Sequence, residues 1–565
     1  MFTLTIDGRQ VEVEAGQTLL AAARKLGIDI PTLCYSEQCQ PATSCLVCLV
    51  KLNAAGQGRL VPACATKAAP GMAIESETPE VHAARRTALE LLLGDHVGDC
   101  LSPCHRICPL RLNIPVMLRQ LQASRPDQAI VTVREALPLP AVLGRLCNAP
   151  CENGCRRGTW DQPVAIRDLE RYTADRDLAR EEPYLPPRKP ASGKSVAIVG
   201  AGPTGLAAAY FLLREGHACV LFDRHPQPGG TLRSQVDPLA LPPAVLEAEI
   251  AQLKRLGAQF RPGTELGREV SLESLARDFD AVLLTLGEHA KAQAPKLGLA
   301  VTAAGFKVEP ETGLTSQPKL FAAGSAVKPV KQLVRAMAEG RSVAAGIHQF
   351  LAGQKIQRPD KQFSSMMGRL LDGELPLFMT GANPAPRVAP ASGAGAEFNA
   401  EEASAEAGRC LHCDCRAVGN CKLQHYAELC GAEPNRFREQ RRRFEQQLQH
   451  SQVIFEPGKC ILCGICVQLT EQAREPLGLT FIGRGFDVRV GAPLNHTIAD
   501  GLQKAAAQCV EHCPTGALAF KDTAASQASR GYLGAPADRG ALLPPSRAVQ
   551  TLPEAGFVPP QDGFL

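Results

Sequence analysis

The stretch from Val196 to Asp223 constrains this chain more than any other, because its parts follow the order of a βαβ nucleotide-binding unit. Four β-prone apolar residues precede a G-x-G-x-x-G turn, a helical run follows, and a second short strand ends at Asp223. The first glycine of such a turn, Gly200, permits the tight bend, Gly202 lets backbone N–H groups approach a pyrophosphate, and Gly205 lets the helix pack on the strand. Asp223 suits a ribose hydroxyl. The alternative is a doubly wound core that keeps its glycines for packing alone.

Composition limits the classes of protein to which that unit can belong. The 565 residues suit roughly three to five domains of ~100–200 residues. With 61 Lys and Arg against 57 Asp and Glu, the net charge of +4 gives no argument for a nucleic-acid partner, and the basic tract 438–443 is interpreted as a solvated helix face. The longest apolar stretch is interrupted by Gly-Ala-Gly-Pro, which argues against a membrane span.

Cysteine usage is the second strong feature. The chain has 22 cysteines, grouped in C-x2-C and C-x3-C clusters, and no secretory signal is recognised. Clusters of this spacing beside a nucleotide fold favour metal sites in a reducing cytoplasm over disulfides.

Residues 1–78 predict a small α+β domain that carries four of these cysteines in loops. Two alternating strands join at Asp7-Gly8, and the helical run TLLAAARKLG follows. Four thiolates from a long loop and one later strand are how a [2Fe-2S] centre is held. The cysteines, spaced C-x10-C-x2-C-x15-C, are Cys34, Cys45, Cys48 and Cys64. The segment resembles the β-grasp, ferredoxin-like domain of the large iron–sulfur subunit of complex I and of related hydrogenases and formate dehydrogenases, where the four matching positions ligate the cluster.

Residues 79–179 are predicted to be a helical domain with two groups of three cysteines, in GDCLSPCHRICP and GRLCNAPCENGC. They resemble the helical two-cluster domain at the N-terminus of the glutamate synthase small subunit and of dihydropyrimidine dehydrogenase. That resemblance implies two [4Fe-4S] clusters with interleaved ligands. The first would be held by Cys100, Cys104 and Cys155, with His96 as the fourth ligand, because a His stands at that place in complex I-like proteins. The alternative for His96 is a helix-end histidine bound to a backbone carbonyl.

The second cluster of the helical domain would take Cys108, Cys147 and Cys151. Here the family uses a polar side chain on the next helix, which matches Glu170 in LERY. The alternatives are an ordinary salt-bridging glutamate and, for the cysteines, a zinc ribbon.

Residues 192–352 are predicted to be a Rossmann-type FAD domain, preceded by a Pro-rich hinge. The GAGPTGLAAA turn and the later RHPQPGG resemble the FAD half of the glutamate synthase small-subunit family, which implies that Gly229 and Gly230 approach the flavin phosphates or ribityl chain. In AAGSA the family's Asp near the flavin sugar chain is replaced by Ser325, after Gly324. A serine still hydrogen-bonds a hydroxyl group.

One part of that family is predicted to be missing. Members that use NADPH carry a second Rossmann unit, but here only residues 289–316 separate the two closing segments of the FAD domain, and no other G-x-G-x-x-G follows a strand. A flavin without a nicotinamide domain would exchange electrons with metal clusters or a partner subunit.

Residues 353–408 turn to Pro, Ala, Gly and Ser and are predicted to be a linker. Residues 409–432 then form a cysteine cluster whose C-x-C step is cramped for one [4Fe-4S]. Its predicted ligands are Cys410, Cys413, Cys415 and Cys421. A zinc knot and the use of Cys430 are the alternatives.

Residues 453–521 predict a ferredoxin-like domain with one [4Fe-4S]. Its C-x2-C-x2-C run supplies Cys460, Cys463 and Cys466, and Cys513, before a proline, is the predicted fourth ligand. Cys509 is left over or competes with Cys513. Residues 522–565 are predicted to be an extended tail.

These predictions describe a multidomain α/β and α+β chain with FAD, one [2Fe-2S] and about four [4Fe-4S] clusters. No molybdopterin, nickel, nucleophile or paired-carboxylate constellation is recognised, so an oxidoreductase subunit without a complete substrate site is expected. The leading hypothesis is an electron-transfer subunit of a cytoplasmic complex, with a catalytic partner such as formate dehydrogenase or hydrogenase and a separate electron-acceptor subunit. The alternatives are an autonomous NAD(P)H-dependent flavin reductase and an assembly scaffold with a degenerate flavin site.

Overall fold

The computed structural model describes residues 1–54, 57–357, 362–391, 393, 396–417 and 419–521. The predicted tail, residues 522–565, lies outside the described residues. Within the described part, no helix combines the length and apolarity that crossing a membrane requires. All 22 cysteines are free thiols.

The N-terminal unit is a five-stranded mixed sheet covered by one helix. Its elements are β1 (Phe2–Ile6), β2 (Arg9–Val13), α1 (Leu19–Lys25), β3 (Leu49–Ala54), β4 (Gln57–Pro62) and β5 (Ala73–Glu75). The strand order is β2-β1-β5-β3-β4, with β1 and β5 parallel. Asp7 and Gly8 have φ angles of 50° and 77°, which make the tight turn between β1 and β2. The predicted hairpin and helix are therefore confirmed.

A helical unit follows the sheet. Its helices are α2 (Pro79–Gly94), α3 (Pro103–Ile107), α4 (Ile114–Gln122), α5 (Pro126–Ala136), α6 (Pro140–Leu146), α7 (Pro150–Asn153) and α8 (Ile166–Leu178). Proline stands in the first turn of α2 to α7, where its missing N–H costs no helical hydrogen bond. Buried leucines of this unit, such as Leu118 and Leu143, share one apolar core with the next unit.

The third unit is a parallel sheet in the order β10-β9-β6-β7-β8, the order of a Rossmann half. Its elements are β6 (Ser195–Val199), α9 (Pro203–Arg214), β7 (Ala218–Asp223), α10 (Thr231–Ser234), α11 (Pro243–Arg255), β8 (Gln259–Pro262), α12 (Leu272–Asp278), β9 (Ala281–Leu284), α13 (Ala290–Gln293), β10 (Leu320–Ala322) and α14 (Leu333–Leu351). A Cβ added at Gly340 would lie 2.4 Å from the Thr204 carbonyl oxygen, so this glycine lets α14 pack closely on α9.

The predicted linker contains two helices, α15 (Glu374–Met379) and α16 (Ala400–Ala407). Asn399 and Glu402 form a capping box at the start of α16. The helix packs on α4, and the buried Glu406 accepts hydrogen bonds from the backbone N–H groups of Ala165 and Val388. The Ala-rich composition therefore marks a packed helix at this end of the segment.

The basic tract 438–443 is not a helix, and its interpretation as a solvated helix face is wrong. Both terminal nitrogens of Arg441 donate to Glu374 at 2.6 Å, and Glu374 is buried. Arg442 pairs with Asp95 at 3.3 Å. The arginines bind the α15 segment and the end of α2 because carboxylates lie there.

The last described unit is ferredoxin-like. The helix α17 (Lys422–Leu429) precedes it, and its elements are β11 (Val453–Phe455), α18 (Ile465–Gln472), β12 (Thr480–Ile482), β13 (Arg489–Gly491), α19 (Ile498–Gly501), α20 (Ala506–His512) and β14 (Leu518–Phe520). β11 pairs antiparallel with β14, and β12 pairs antiparallel with β13. This pairing brings the start and the end of the unit together, as the fourth-ligand prediction for Cys513 requires.

Candidate functional site

A cavity of about 870 Å³ lies at the carboxyl ends of the parallel strands, where nucleotides bind in open α/β sheets. Its wall is formed by residues 199–200, 222–225, 264–266 and 285–289, which follow neighbouring strands. Leu146 and Asn148 also line it, and they flank Cys147 of the helical unit. The cavity therefore borders one of the cysteine groups.

The predicted glycines divide into those that line the cavity and those that shape its backbone. Gly200, Gly202 and Gly230 line it. A Cβ at Gly205 would lie 2.0 Å from the Gly200 carbonyl oxygen, so Gly205 provides the close helix–strand contact. Gly229 donates its N–H to the Ala201 carbonyl at 2.9 Å, which holds the 229–230 turn against the first glycine turn.

Asp223 and Ser325 both line the cavity, as predicted residues of a nucleotide site should. The Asp223 carboxylate accepts from the backbone N–H groups of Ala201 at 2.7 Å and His225 at 2.9 Å, so it also ties the glycine turn to β7. The Ser325 hydroxyl accepts from the Val330 N–H at 3.3 Å. Gly324, with φ of 69°, turns the chain at this point and is covered by the side chain of Thr204.

The segment 289–316, which joins the two closing segments of the Rossmann-type unit, is short and folded. It contains α13, a 3-10 helix at Ala294–Leu297 and a bridge between Val301 and Phe306. Phe306 is buried against the back of the parallel sheet. These residues extend the Rossmann-type unit itself.

In the N-terminal unit, the four predicted cluster ligands lie together. We call Cys34, Cys45, Cys48 and Cys64 the N-terminal thiol group. Hydrogen bonds among the thiols lower the pKa of Cys34 and Cys48 and raise the pKa of their partners Cys45 and Cys64. Four thiols in mutual hydrogen-bond contact fit the ligand set of a [2Fe-2S] centre.

We call Cys108, Cys147, Cys151 and Glu170, the predicted ligands of the second helical-domain cluster, the Cys147 group. Burial raises the pKa of each thiol, and Glu170 adds to the shift in all three. Burial also raises the pKa of Glu170 to about 8. Three thiols and one carboxyl group within electrostatic range fit a [4Fe-4S] cluster with a non-cysteine ligand.

The eight remaining predicted ligands of the helical unit and the 409–432 segment have neighbours in both segments. We call Cys104, Cys155, Cys410 and Cys413 the Cys104 group, because burial and then the thiols of Cys104, Cys413 and Cys155 raise the pKa of Cys410. The thiols of Cys155 and Cys413 likewise raise the pKa of Cys104, after burial. The helical unit and the 409–432 segment each supply two members of this group.

We call Cys100, Cys415 and Cys421 the Cys100 group. Burial raises the pKa of Cys100, and the thiols of Cys415 and Cys421 raise it further. The Lys459 ammonium group lowers the pKa of Cys100, of Cys415 and of His96, so the histidine lies near the same cation as the two cysteines. The Nδ1 atom of His96 is buried without a hydrogen-bond partner.

The Cys460 group, formed by Cys460, Cys463, Cys466 and Cys513, lines a small pocket in the ferredoxin-like unit. Burial raises the pKa of Cys466, as do Cys463, Cys460, Cys509 and Cys513. Cys509 donates to the Cys466 carbonyl oxygen at 3.8 Å. This arrangement fits the predicted ligand set and places Cys509 beside it.

Two basic residues of these groups were missed by the sequence reasoning. Arg156 hydrogen-bonds Cys413 and pairs with Asp99 at 2.6 Å. Lys459, 2% exposed, pairs with Glu456 at 2.5 Å. The one signal in the sequence is that each adjoins a cysteine. The partners of Arg156 are distant in the chain, whereas Glu456 lies three residues before Lys459. Among the described residues, no three or more His, Cys, Asp or Glu side chains are arranged for a single metal ion.

Comparison with known families agrees with this division into units. The 2Fe-2S iron-sulfur cluster binding domain matches residues 1–79, the dihydropyrimidine dehydrogenase domain II, 4Fe-4S cluster, matches residues 97–182, and the NAD(P)-binding Rossmann-like domain matches residues 198–252. Three redox domains thus follow one another in this chain. The predicted [2Fe-2S], [4Fe-4S] and Rossmann domain types are confirmed.

Curated relatives are oxidoreductase subunits. The NADP(+)-dependent formate dehydrogenase subunit beta of Moorella thermoacetica is 37% identical over 213 residues, 34% of this chain and 30% of that protein. The NADPH-Fe(3+) oxidoreductase subunit beta of Geobacter sulfurreducens is 37% identical over 191 residues, 33% of this chain and 28% of that protein. The glutamate synthase [NADPH] small chain of Mycobacterium tuberculosis is 38% identical over 200 residues, 35% of this chain and 41% of that protein. The chain thus spans less than half the length of these relatives, to which it is homologous.

Proposed function

We propose that this chain is an iron–sulfur flavoprotein subunit that carries electrons between a flavin and a chain of iron–sulfur clusters inside a multi-subunit oxidoreductase. The observation that carries the proposal is the contact between the cavity and the Cys147 group through Leu146 and Asn148. When bound, FAD supplies the exchange between two-electron and one-electron chemistry. The cavity would hold it through Gly200, Gly202 and Asp223.

The cysteine groups are neighbours in a linear order that supports a relay. The Cys147 group lies nearest the cavity. The Cys104 group is its neighbour, because the Cys104 thiol is close enough to raise the pKa of Cys151. The Cys104 group adjoins the Cys100 group through the sequence from Cys100 to Cys104 and through the Arg156–Asp99 pair.

The same order continues to the N-terminus. The Cys513 thiol of the Cys460 group raises the pKa of Cys421 in the Cys100 group. The Cys34 thiol of the N-terminal thiol group raises the pKa of Cys463. Cys39 also donates to the Ile465 carbonyl at 4.0 Å across this boundary. The proposed relay therefore runs from the cavity to the [2Fe-2S] unit at the other end of the chain.

Several relatives are named as subunits of formate dehydrogenase or NADPH-Fe(3+) oxidoreductase. We propose a catalytic partner of this kind and a cytoplasmic location, where 22 free thiols stay reduced. We propose that this partner supplies or removes the electrons that pass along the relay.

The test uses the full chain, purified without oxygen. We expect FAD in the supernatant after denaturation, iron and acid-labile sulfide in the protein, and no bleaching of the bound flavin by NADH or NADPH alone. Rapid bleaching by either nucleotide would instead establish an autonomous flavin reductase. Protein that retains iron but releases no flavin would overturn the proposal in favour of a scaffold.

A further inference from the structure

We propose that two [4Fe-4S] clusters are each shared between the helical unit and the 409–432 segment. One is held by Cys104, Cys155, Cys410 and Cys413. The other is held by His96, Cys100, Cys415 and Cys421. This inference rests on the proposed function, since it requires that the chain binds clusters, and it replaces the ligand sets expected from the sequence.

The first argument is the way the C-x2-C-x-C run from Cys410 to Cys415 lies across two cores. Cys410 packs in the core that also contains Cys104. Cys415 and Cys421 pack in the separate core of the ferredoxin-like unit. Between them, Asp414 forms a bidentate pair with Arg119 of α4, at 2.9 and 2.6 Å. The two ends of the run therefore face different neighbours. This separation suits two clusters, because the C-x-C step is too cramped for all its cysteines to bind one cluster.

The second argument is the clamp that joins the Cys155 loop to the Cys410 loop. Arg157, two positions after Cys155, donates to the Arg409 carbonyl at 3.3 Å. Arg409, next to Cys410, donates to Asp161 at 3.0 Å. Both arginines are 0% exposed. A buried clamp of this kind fixes the two loops at the same place and brings their cysteines together.

The donors around the first set suit a negatively charged cluster. The backbone N–H of His412 donates to the Cys410 sulfur at 3.4 Å, and the Ser102 hydroxyl lies 3.1 Å from the Cys104 sulfur. Arg156 reaches Cys413. Hydrogen bonds and a cation at the sulfurs stabilise a thiolate-bound cluster and tune its potential.

The second set is tied together through the backbone. The Cys415 N–H donates to the Cys100 carbonyl at 3.3 Å, and the Val97 N–H donates to the Gly458 carbonyl at 2.7 Å. A Cβ at Gly516 would lie 2.3 Å from the Cys415 sulfur, so the glycine leaves room there. His96 presents a buried, unpartnered Nδ1 in this region, which is a donor atom that a cluster iron would satisfy.

The test is the iron content and the reduced-state EPR spectrum of single and double serine variants of the full chain. Cys104→Ser and Cys413→Ser each remove one [4Fe-4S] cluster, and the double variant loses no more iron than either single variant. Cys100→Ser and Cys421→Ser behave in the same way. Losses that add in either double variant would overturn the sharing.

The matched control is the pair Cys104→Ser and Cys147→Ser, whose members belong to different groups. Their double variant should lose two clusters, which shows that the measurement detects additive losses. Wild-type protein without iron would contradict the proposed function itself, whereas additive losses in iron-containing protein contradict only the shared ligands.

A second measurement applies even if a serine variant fails to fold. Electron spin-echo spectroscopy of the reduced wild-type protein should show a histidine nitrogen coupled to one [4Fe-4S] cluster. His96→Cys should keep the iron and lose that coupling. A spectrum without the coupling, or one that His96→Cys leaves unchanged, would contradict the second ligand set.

Discussion

The backbone N–H of Cys415 donates a hydrogen bond to the carbonyl oxygen of Cys100, with 3.3 Å between the two atoms. The two cysteines stand on opposite sides of the nucleotide-binding unit in the sequence. Their contact shows that two cysteine-bearing segments, separated in the sequence by the Rossmann-type unit, fold against each other. The electron path proposed for this chain depends on that closure.

The buried Arg119–Asp414 pair should be a principal support of the closure. Arg119→Met leaves the Asp414 carboxylate buried without its partner, and we expect it to lower the free energy of unfolding by about 3–5 kcal/mol. Chemical denaturation of the full chain measures the change. Arg119→Met combined with Asp414→Leu should recover most of the loss. Arg277→Met, at an exposed pair with side chains 75% and 54% exposed, is the control and should change stability little.

Alanine substitutions at two glycines of the 200–205 turn should have different effects, one on stability and the other on cofactor binding. Gly205→Ala places a Cβ 2.0 Å from the Gly200 carbonyl oxygen, and the overpacking should cost about 1–3 kcal/mol of stability. Gly202→Ala meets no atom within 4 Å, so the fold should persist. Because Gly202 lines the cavity, its variant should still lose bound flavin. Flavin retention with unchanged stability in Gly202→Ala would remove this glycine from the site.

Ser325 is the position where the sequence departs from the flavoprotein pattern. Its hydroxyl lines the cavity, and losing one hydrogen bond of about 1 kcal/mol should weaken flavin binding about fivefold. Titration of the deflavinated protein with FAD compares Ser325→Ala with wild type. Ser274→Ala, on α12 outside the cavity, serves as the control and should bind as wild type does. Equal affinities for all three proteins would exclude a role for Ser325.

His217 should make stability depend on pH. Burial, and then its neighbour His348 at 2.9 Å, lower the pKa of His217 below 6.5. Glu215 and Asp280 oppose this shift and Lys189 adds to it. The unfolded chain therefore binds more protons here than the folded chain, so stability is lost as the pH falls from about 6.5 toward the lowered pKa.

The comparison that isolates this effect is wild type against His217→Gln, unfolded at a series of pH values between about 5 and 8. The difference in unfolding free energy between the two proteins should favour wild type less as the pH falls. A difference that does not change with pH would show that His217 has the same pKa in both states.

Local sequence patterns predicted much of this architecture. The Asp7-Gly8 hairpin, the βαβ unit and the proximity of Cys460 to Cys513 follow from turn chemistry, strand periodicity and ligand spacing. Each depends on residues that are near in sequence or on a spacing with few structural solutions. The Pro, Ala, Gly and Ser composition of residues 353–408 predicts a linker, whereas the Asn399–Glu402 capping box starts the helix α16 within it.

The cysteine groups show where such reasoning ends. Spacing alone assigns Cys410 and Cys415 to one site, but their neighbours are set by Arg409, Asp414 and the packing of two distant cores. Arg119 and Arg156 carry no local signal of the residues they bind. Contacts between segments so distant in the chain are determined by tertiary packing.

The most direct test of the relay is flash photolysis that delivers single electrons to the anaerobic full chain, followed at flavin and cluster wavelengths. We expect the electron to redistribute between flavin and clusters at a rate independent of protein concentration, and we expect Cys413→Ser to slow this phase. A rate that rises in proportion to protein concentration would show transfer between molecules and would contradict a continuous path within the chain.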